Sequence, residues 1–124
     1  MAFKKKELEH YKNLLLEKRD EIIGSIDERK KLSFKSQEQM TEELDQASQA
    51  ADQALHMRLL DKDLKLLREI DSALERWKDG EYGYCMGTGE EIERKRLELR
   101  PWTRYSIEHK EELERKKKFR KMIG

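Results

Sequence analysis

At 124 residues the chain has the length of one domain, and 44% charged residues against 35% apolar ones leave too little material for a broad globular core. The 28 Lys and Arg nearly cancel the 27 Asp and Glu, so a formal net charge of +1 excludes the overall cationic field that supports non-specific nucleic-acid binding. The single cysteine excludes an internal disulfide, and no apolar run approaches the roughly twenty residues needed to cross a bilayer.

From Lys4 to about Leu32 there is no proline and one glycine, Gly24, while Leu8, Tyr11, Leu15, Ile22 and Ile26 recur at helical spacing among Lys and Glu. That pattern predicts a long amphipathic helix with one apolar stripe. The N-terminus, MAFKKKELEH, lacks the apolar core of a secretory signal, so a cytoplasmic setting is expected. A second helix is predicted from about Thr41 to Lys78. Its Met57, Leu60, Leu64, Leu67 and Leu74 have coiled-coil seam spacing, and Leu59, Leu66 and Ile70 widen the stripe. The connector, SFKSQEQM, is short and polar, so the second helix folds back on the first as an antiparallel hairpin. The segment from Phe34 to Leu55 carries Glu38, Glu42, Glu43, Asp45 and Asp52 against Lys35 alone, which makes the expected tip acidic. Its alanine-rich stretch, QASQAADQA, keeps that end slim.

After Lys78, DGEYGYCMGTGEEI breaks the helix with glycines that tolerate positive φ. A mixed segment, ERKRLELRPWTRY, leads to a last helix from about Ser106, whose hydroxyl can cap it. The tail from Lys110 to Lys121 holds seven cations against three glutamates. The predicted fold is therefore mainly α: a hairpin over residues 1–79 with its tip at about 33–47, a small zinc-finger-like globule over 80–109, and a basic C-terminal helix over 110–124.

The glycines around Cys85 have the look of a metal knuckle. Structural zinc needs four thiolate or imidazole ligands, usually as two pairs separated by two residues. The pairs here would be Cys85 with Thr88 and Ser106 with His109. Hydroxyls are poor zinc ligands, and the remaining two donors seldom hold the ion, so no metal and no cofactor is expected. Cys85 reads as a small apolar residue in a tight turn, or as a redox-sensitive thiol with His109 as its base. His10 and His56 read as solvated helix positions. No phosphate-binding glycine loop or nucleophile–base set is found, so no catalytic residue is assigned.

The order of a helical hairpin, YGYC, RLELRP, a two-residue-spaced pair and a basic helix resembles the DksA/TraR family of bacterial RNA polymerase-binding regulators. The resemblance runs from about Glu42 to Lys110. It is most specific at DGEYGYC, at the 18-residue step from Thr88 to Ser106, and at Arg96, Leu97, Glu98, Arg100 and Pro101, which fall where the family has RRLEARP. It implies that the hairpin enters the secondary channel of RNA polymerase. It implies too that the tip acts through an Asp-x-x-Asp-x-Ala pattern, matched here by Asp45 and Ala47, with Glu42 in place of the first aspartate. By the same resemblance, Lys62 falls where the family uses a basic residue against the channel rim. Leu66, Arg100 and Lys110 match the family's site for the alarmone ppGpp. One basic position of that site is Glu69 here, with Arg68 as the neighbour able to substitute. The Cys-x-x-Thr and Ser-x-x-His pairs match the family's cysteine-poor members, which fold without zinc. Tyr82, Tyr84, Ile92, Leu97, Trp102, Tyr105 and Ile107 are then expected to pack the globule.

The resulting expectation is a non-enzymatic transcription regulator acting on RNA polymerase, with no sequence-specific DNA binding and no membrane partner. Two other readings of the residues stay open. One is a structural coiled-coil module whose basic tail, KKKFRK, meets an acidic partner such as RNA or a membrane surface. The other is a thiol- or metal-sensing switch at Cys85.

Overall fold

The computed structural model describes residues 3–39 and 46–124, with side-chain surroundings described for 3–32 and 48–124. The described residues form four helices: α1 Lys5–Gln39, α2 Gln46–Lys78, α3 Arg94–Leu99 and α4 Ile107–Ile123. The only β pairing among them is an isolated antiparallel bridge between Tyr84 and Glu91. No helix is long and apolar enough to cross a membrane among these residues.

α1 runs seven residues beyond the predicted end at Leu32, through most of the stretch read as a connector. The reason is local: Lys, Gln and Glu dominate residues 35–39, and none of them interrupts a helix as Gly or Pro would. α2 ends where predicted. The Glu81 N–H donates to the Arg76 carbonyl at 2.8 Å and the Gly80 N–H to the Trp77 carbonyl at 3.2 Å, a Schellman closure. That closure needs a left-handed residue, and Gly80 supplies it at φ 77°.

The chain divides into two compact units, one of residues 17–69 and the other of residues 1–16 with 70–124. In the first of these, α1 and α2 run antiparallel. Ile22 and Ile26 are buried, and Asp63 of α2 accepts hydrogen bonds from Ser25 Oγ at 2.8 Å and Arg29 Nε at 2.9 Å. With 14% of its side chain exposed, Asp63 is largely withdrawn from solvent, and the two donors supply the partners that a buried carboxylate requires.

This corrects two positions of the seam. Along α2 a strict three-four alternation of buried or half-buried positions runs through His56, Leu60, Asp63, Leu67, Ile70, Leu74 and Trp77. Met57, assigned to the seam from its hydrophobicity, is 53% exposed. Leu60, Leu67 and Leu74 hold their expected places, while His56 and Asp63 stand in the alternation where Met57 and Leu64 were expected. His56, read as a solvated position, is half-buried, and its Nδ1 is buried without a hydrogen-bond partner.

The other unit holds a continuous core of Tyr11 and Leu15 from α1, Ile70 and Ala73 from α2, Tyr82, Cys85 and Ile92 from the turn, and Leu97 from α3. Trp77 Nε1 donates to the Leu8 carbonyl at 2.8 Å and so ties the two long helices together here. α4 is capped by Ser106, whose Oγ accepts the His109 N–H at 3.3 Å, and it buries no residue. Ile107, expected in the globule's packing, is 43% exposed because it begins that solvated helix.

Candidate functional site

Of the residues assigned to the tip, Glu42 and Asp45 lie outside the described residues, and Ala47 is in the first turn of α2. Lys62 is exposed on α2 within the unit of residues 17–69. In that unit Leu66 is half-buried, Arg68 exposed and Glu69 half-buried. Arg100 and Lys110 belong to the other unit, and both are exposed. Their backbones are held while their charged heads stand in solvent: the Arg100 N–H closes α3 on the Arg96 carbonyl at 2.7 Å, and the Lys110 N–H reaches the Ser106 carbonyl at 3.0 Å.

The knuckle is built from short backbone pairs. Cys85 N–H donates to the Glu90 carbonyl at 2.7 Å, Gly89 N–H to the Cys85 carbonyl at 2.8 Å, and Ile92 N–H to the Gly83 carbonyl at 2.8 Å. The Met86 N–H donates to the Arg104 carbonyl at 2.8 Å, which folds the segment before α4 onto the knuckle. Gly83 and Gly89 take φ 91° and 75°. Gly87 has another role: a Cβ there would fall on the His109 ring, so glycine makes room for the imidazole.

The four ligand-like positions therefore do converge, but their atoms are engaged with the protein. Thr88 Oγ1 accepts the Glu90 N–H at 3.3 Å, Ser106 Oγ caps α4, and the His109 ring packs on Tyr105 with centroids 5.1 Å apart. Among the described residues no group of three or more His, Cys, Asp or Glu could hold a metal ion. One thiol and one imidazole beside two hydroxyls do not fit zinc.

Cys85 itself is 2% exposed. Burial pushes its thiol up, but hydrogen bonds from the Thr88 hydroxyl and the backbone N–H groups of Ser106, Thr88 and Gly87 outweigh burial. They bring the thiol down from an ordinary 9.0 to about 6. The cradle that would orient a metal thiolate here stabilises the thiolate directly. Because the folded pKa lies below the unfolded one, this stabilisation is complete above the ordinary thiol range and is lost as pH falls through about 6. Denaturant unfolding under reducing conditions should show stability rising from pH 6 to 9 by a few kcal/mol at most, since each tenfold change in acidity corresponds to about 1.4 kcal/mol. In Cys85→Ser that rise should flatten, and a chelator should change neither protein. An unchanged slope in Cys85→Ser would refute the assignment.

Three features that sequence reasoning passed over shape the site. Arg76, buried in α2, donates to Ser72 Oγ at 2.9 Å and reaches the Trp102 and Thr103 carbonyls at 3.4 and 3.5 Å. Phe3 meets Tyr11 and Tyr84 edge-on, with the Arg94 guanidinium 4.6 Å above its ring. His10, read as solvated, bonds Glu98 at 2.8 Å, and Glu7 pairs with Arg94. These contacts join α1 to α3 across some ninety residues, and no local spacing signals them. Tyr82 donates to the Pro101 carbonyl at 2.7 Å, and burial pushes its phenol up.

Residues 7–77 match the family described as DnaK suppressor protein DksA, N-terminal domain, and residues 80–115 match the prokaryotic dksA/traR C4-type zinc finger. The chain belongs to the DksA/TraR family. Among its relatives, the RNA polymerase-binding transcription factor DksA of Caulobacter vibrioides is 40% identical over 91% of this chain and 80% of its own. General stress protein 16O of Bacillus subtilis is 34% identical over 92% of this chain and 72% of its own. The solved structure of transcription factor DksA2 from Pseudomonas aeruginosa superposes with a TM-score of 0.83 at 36% identity, covering 92% of this chain and 88% of that one. The match to a four-cysteine finger thus falls on a DksA/TraR globule with one of those cysteines, held together by backbone pairs and aromatic packing.

Proposed function

We propose that this protein is a transcription regulator that binds RNA polymerase and inserts the segment between α1 and α2 into the secondary channel, altering the stability of promoter complexes without chemistry of its own. The observation that carries the reading is the family match over residues 7–77, joined to relatives named as RNA polymerase-binding transcription factors. Helices of 35 and 33 residues agree with it, since at 1.5 Å per residue each gives about 50 Å of rise, the reach that a deep channel demands.

In this reading residues 1–79 are the polymerase-entering arm, 80–109 its globule and 110–124 a separate basic helix. Asp45 is the principal tip residue, supported by Glu42 and Ala47, and Lys62 meets the channel rim. A carboxylate there hydrogen-bonds basic or polar groups near the catalytic centre. By the family likeness Leu66, Arg68, Arg100 and Lys110 are each assigned to ppGpp; Arg100 and Lys110 are exposed cations of the kind that meets phosphates. The protein acts in the cytoplasm, without zinc and without a membrane or sequence-specific DNA partner.

One experiment tests these roles. Purified protein added to RNA polymerase should change promoter-complex lifetime, and Asp45→Asn should lose at least tenfold in potency, the scale of one charge-assisted hydrogen bond. Arg100→Ala with Lys110→Ala should keep the alarmone-free effect while losing any response to ppGpp. An Asp45→Asn variant as potent as the parent would sink the tip assignment, and an unchanged lifetime with the parent would sink the function.

A further inference from the structure

The second half of α4 has no task in the fold. Residues 115–123 contain six cations and no acid, and the helix buries none of its side chains. Lys116 reaches Glu112 at 3.4 Å, an exposed pair one turn apart that holds its charge only weakly. Cations at the C-terminal end oppose the helix dipole favourably, so the helix tolerates their density without a packing partner.

The apolar residues of this segment are more informative. Phe119, Met122 and Ile123 are 64%, 85% and 68% exposed. At about 100° per residue they share one arc of about 100°. Arg115 lies on the same arc one turn before Phe119. Phe119 borders a shallow cleft of about 390 Å³ together with Arg115, Lys116 and Arg120. An exposed aromatic ring among three cations has the two elements that bind a single strand: a face on which an unpaired base stacks, and charges for the phosphates on either side.

We infer that the C-terminal half of α4 is a docking surface for single-stranded RNA, with Phe119 stacking on a base while Arg115, Lys116 and Arg120 neutralise the flanking phosphates. RNA is the occupant because stacking requires unpaired bases, which RNA presents in loops and ends and duplex DNA does not. The near-zero net charge of the whole chain agrees with a local site, since no field elsewhere on the molecule would hold nucleic acid indiscriminately. This surface is independent of the polymerase reading and should survive Asp45→Asn.

The test is fluorescence anisotropy of a labelled oligouridine of roughly ten nucleotides against the full-length protein, with salt varied. Binding should fall with salt at a log–log slope of about −2, three phosphates at roughly 0.7 each for a single strand. Arg115→Gln with Arg120→Gln should reduce that slope to about −0.7. Phe119→Ala should weaken binding about tenfold, the loss of one stacked base, with the slope kept. Since α4 buries nothing, these variants should retain the parent's circular dichroism. Four results would overturn the inference: no binding by the parent, equal binding by Phe119→Ala, equal binding of a DNA duplex of the same length, or preferential capture by phosphatidylglycerol vesicles.

Discussion

Gly83→Ala should lower the unfolding free energy by about 3 kcal/mol, combining two costs of distinct origin. The first is conformational: at φ 91° an L-residue is strained by about 1 to 2 kcal/mol whatever surrounds it. The second is steric, because the new Cβ would fall on the ring of Phe3. That ring is not a loose side-chain end. It is held edge-on to Tyr11 and Tyr84, with their centroids 6.3 and 5.7 Å away, and lies beneath Arg94. A thermodynamic cycle with Phe3→Ala separates the two costs. In the Phe3→Ala background Gly83→Ala should cost less by about 1 kcal/mol or more, while the conformational part remains. Denaturant unfolding followed by tryptophan fluorescence reports this unit directly, since Trp77 and Trp102 both lie in it. A single-variant loss below about 1 kcal/mol, or no coupling to Phe3, would refute the account.

Leu97→Ala should cost a similar amount, about 3 kcal/mol, because it deletes one of the largest fully buried side chains among the described residues and leaves a cavity. α3 offers its own control two residues on. Leu99 is 80% exposed, and Leu99→Ala should change stability by no more than about 0.5 kcal/mol. The contrast matters because both leucines belong to the RLELRP motif. Leu97 locks α3 onto the core beneath the knuckle, and Leu99 has no packing there. Equal losses from the two variants would mean that the packing of α3 is wrongly assigned.

Much of the architecture was legible in the chain because its signals are local. The three-four spacing of Leu15, Ile22 and Ile26 marks the buried stripe of α1, and Asp79-Gly80 marks the end of α2. The cap at Ser106 is readable from its position before the last helix. Where sequence and structure part, a polar residue occupies a seam position. Hydrophobicity as the marker of phase favours Met57 over His56, whereas Asp63 holds its half-buried place through Ser25 and Arg29. The overlong connector is the opposite error, polarity taken as a loop signal in a segment with good helix formers.

The proposed functional positions rest mainly on the family likeness. Nothing in the spacing of Arg100 and Lys110 distinguishes them from other exposed cations, and Glu42 and Asp45, proposed for the tip, fall outside the described residues. That two of the four ligand-like positions carry hydroxyls could be read from Thr88 and Ser106, but the hydrogen bonds those hydroxyls make could not. Phe3 has no periodic context at the start of α1, and its partner Gly83 lies on the far side of both long helices in sequence.

The clamp between the start of α1 and the α3 segment bears on how the chain is made. Glu7 and Arg94 are 87 residues apart and His10 and Glu98 are 88 apart, so these contacts are strongly non-local. At about 5 to 20 residues synthesised per second, the first turns of α1 wait roughly 4 to 18 s for these partners to emerge from the ribosome. Throughout that interval the stripe of Tyr11 and Leu15 has no globule to cover it. The dense Lys and Glu around that stripe then act as its protection, keeping a nascent amphipathic helix soluble until the last third of the chain arrives.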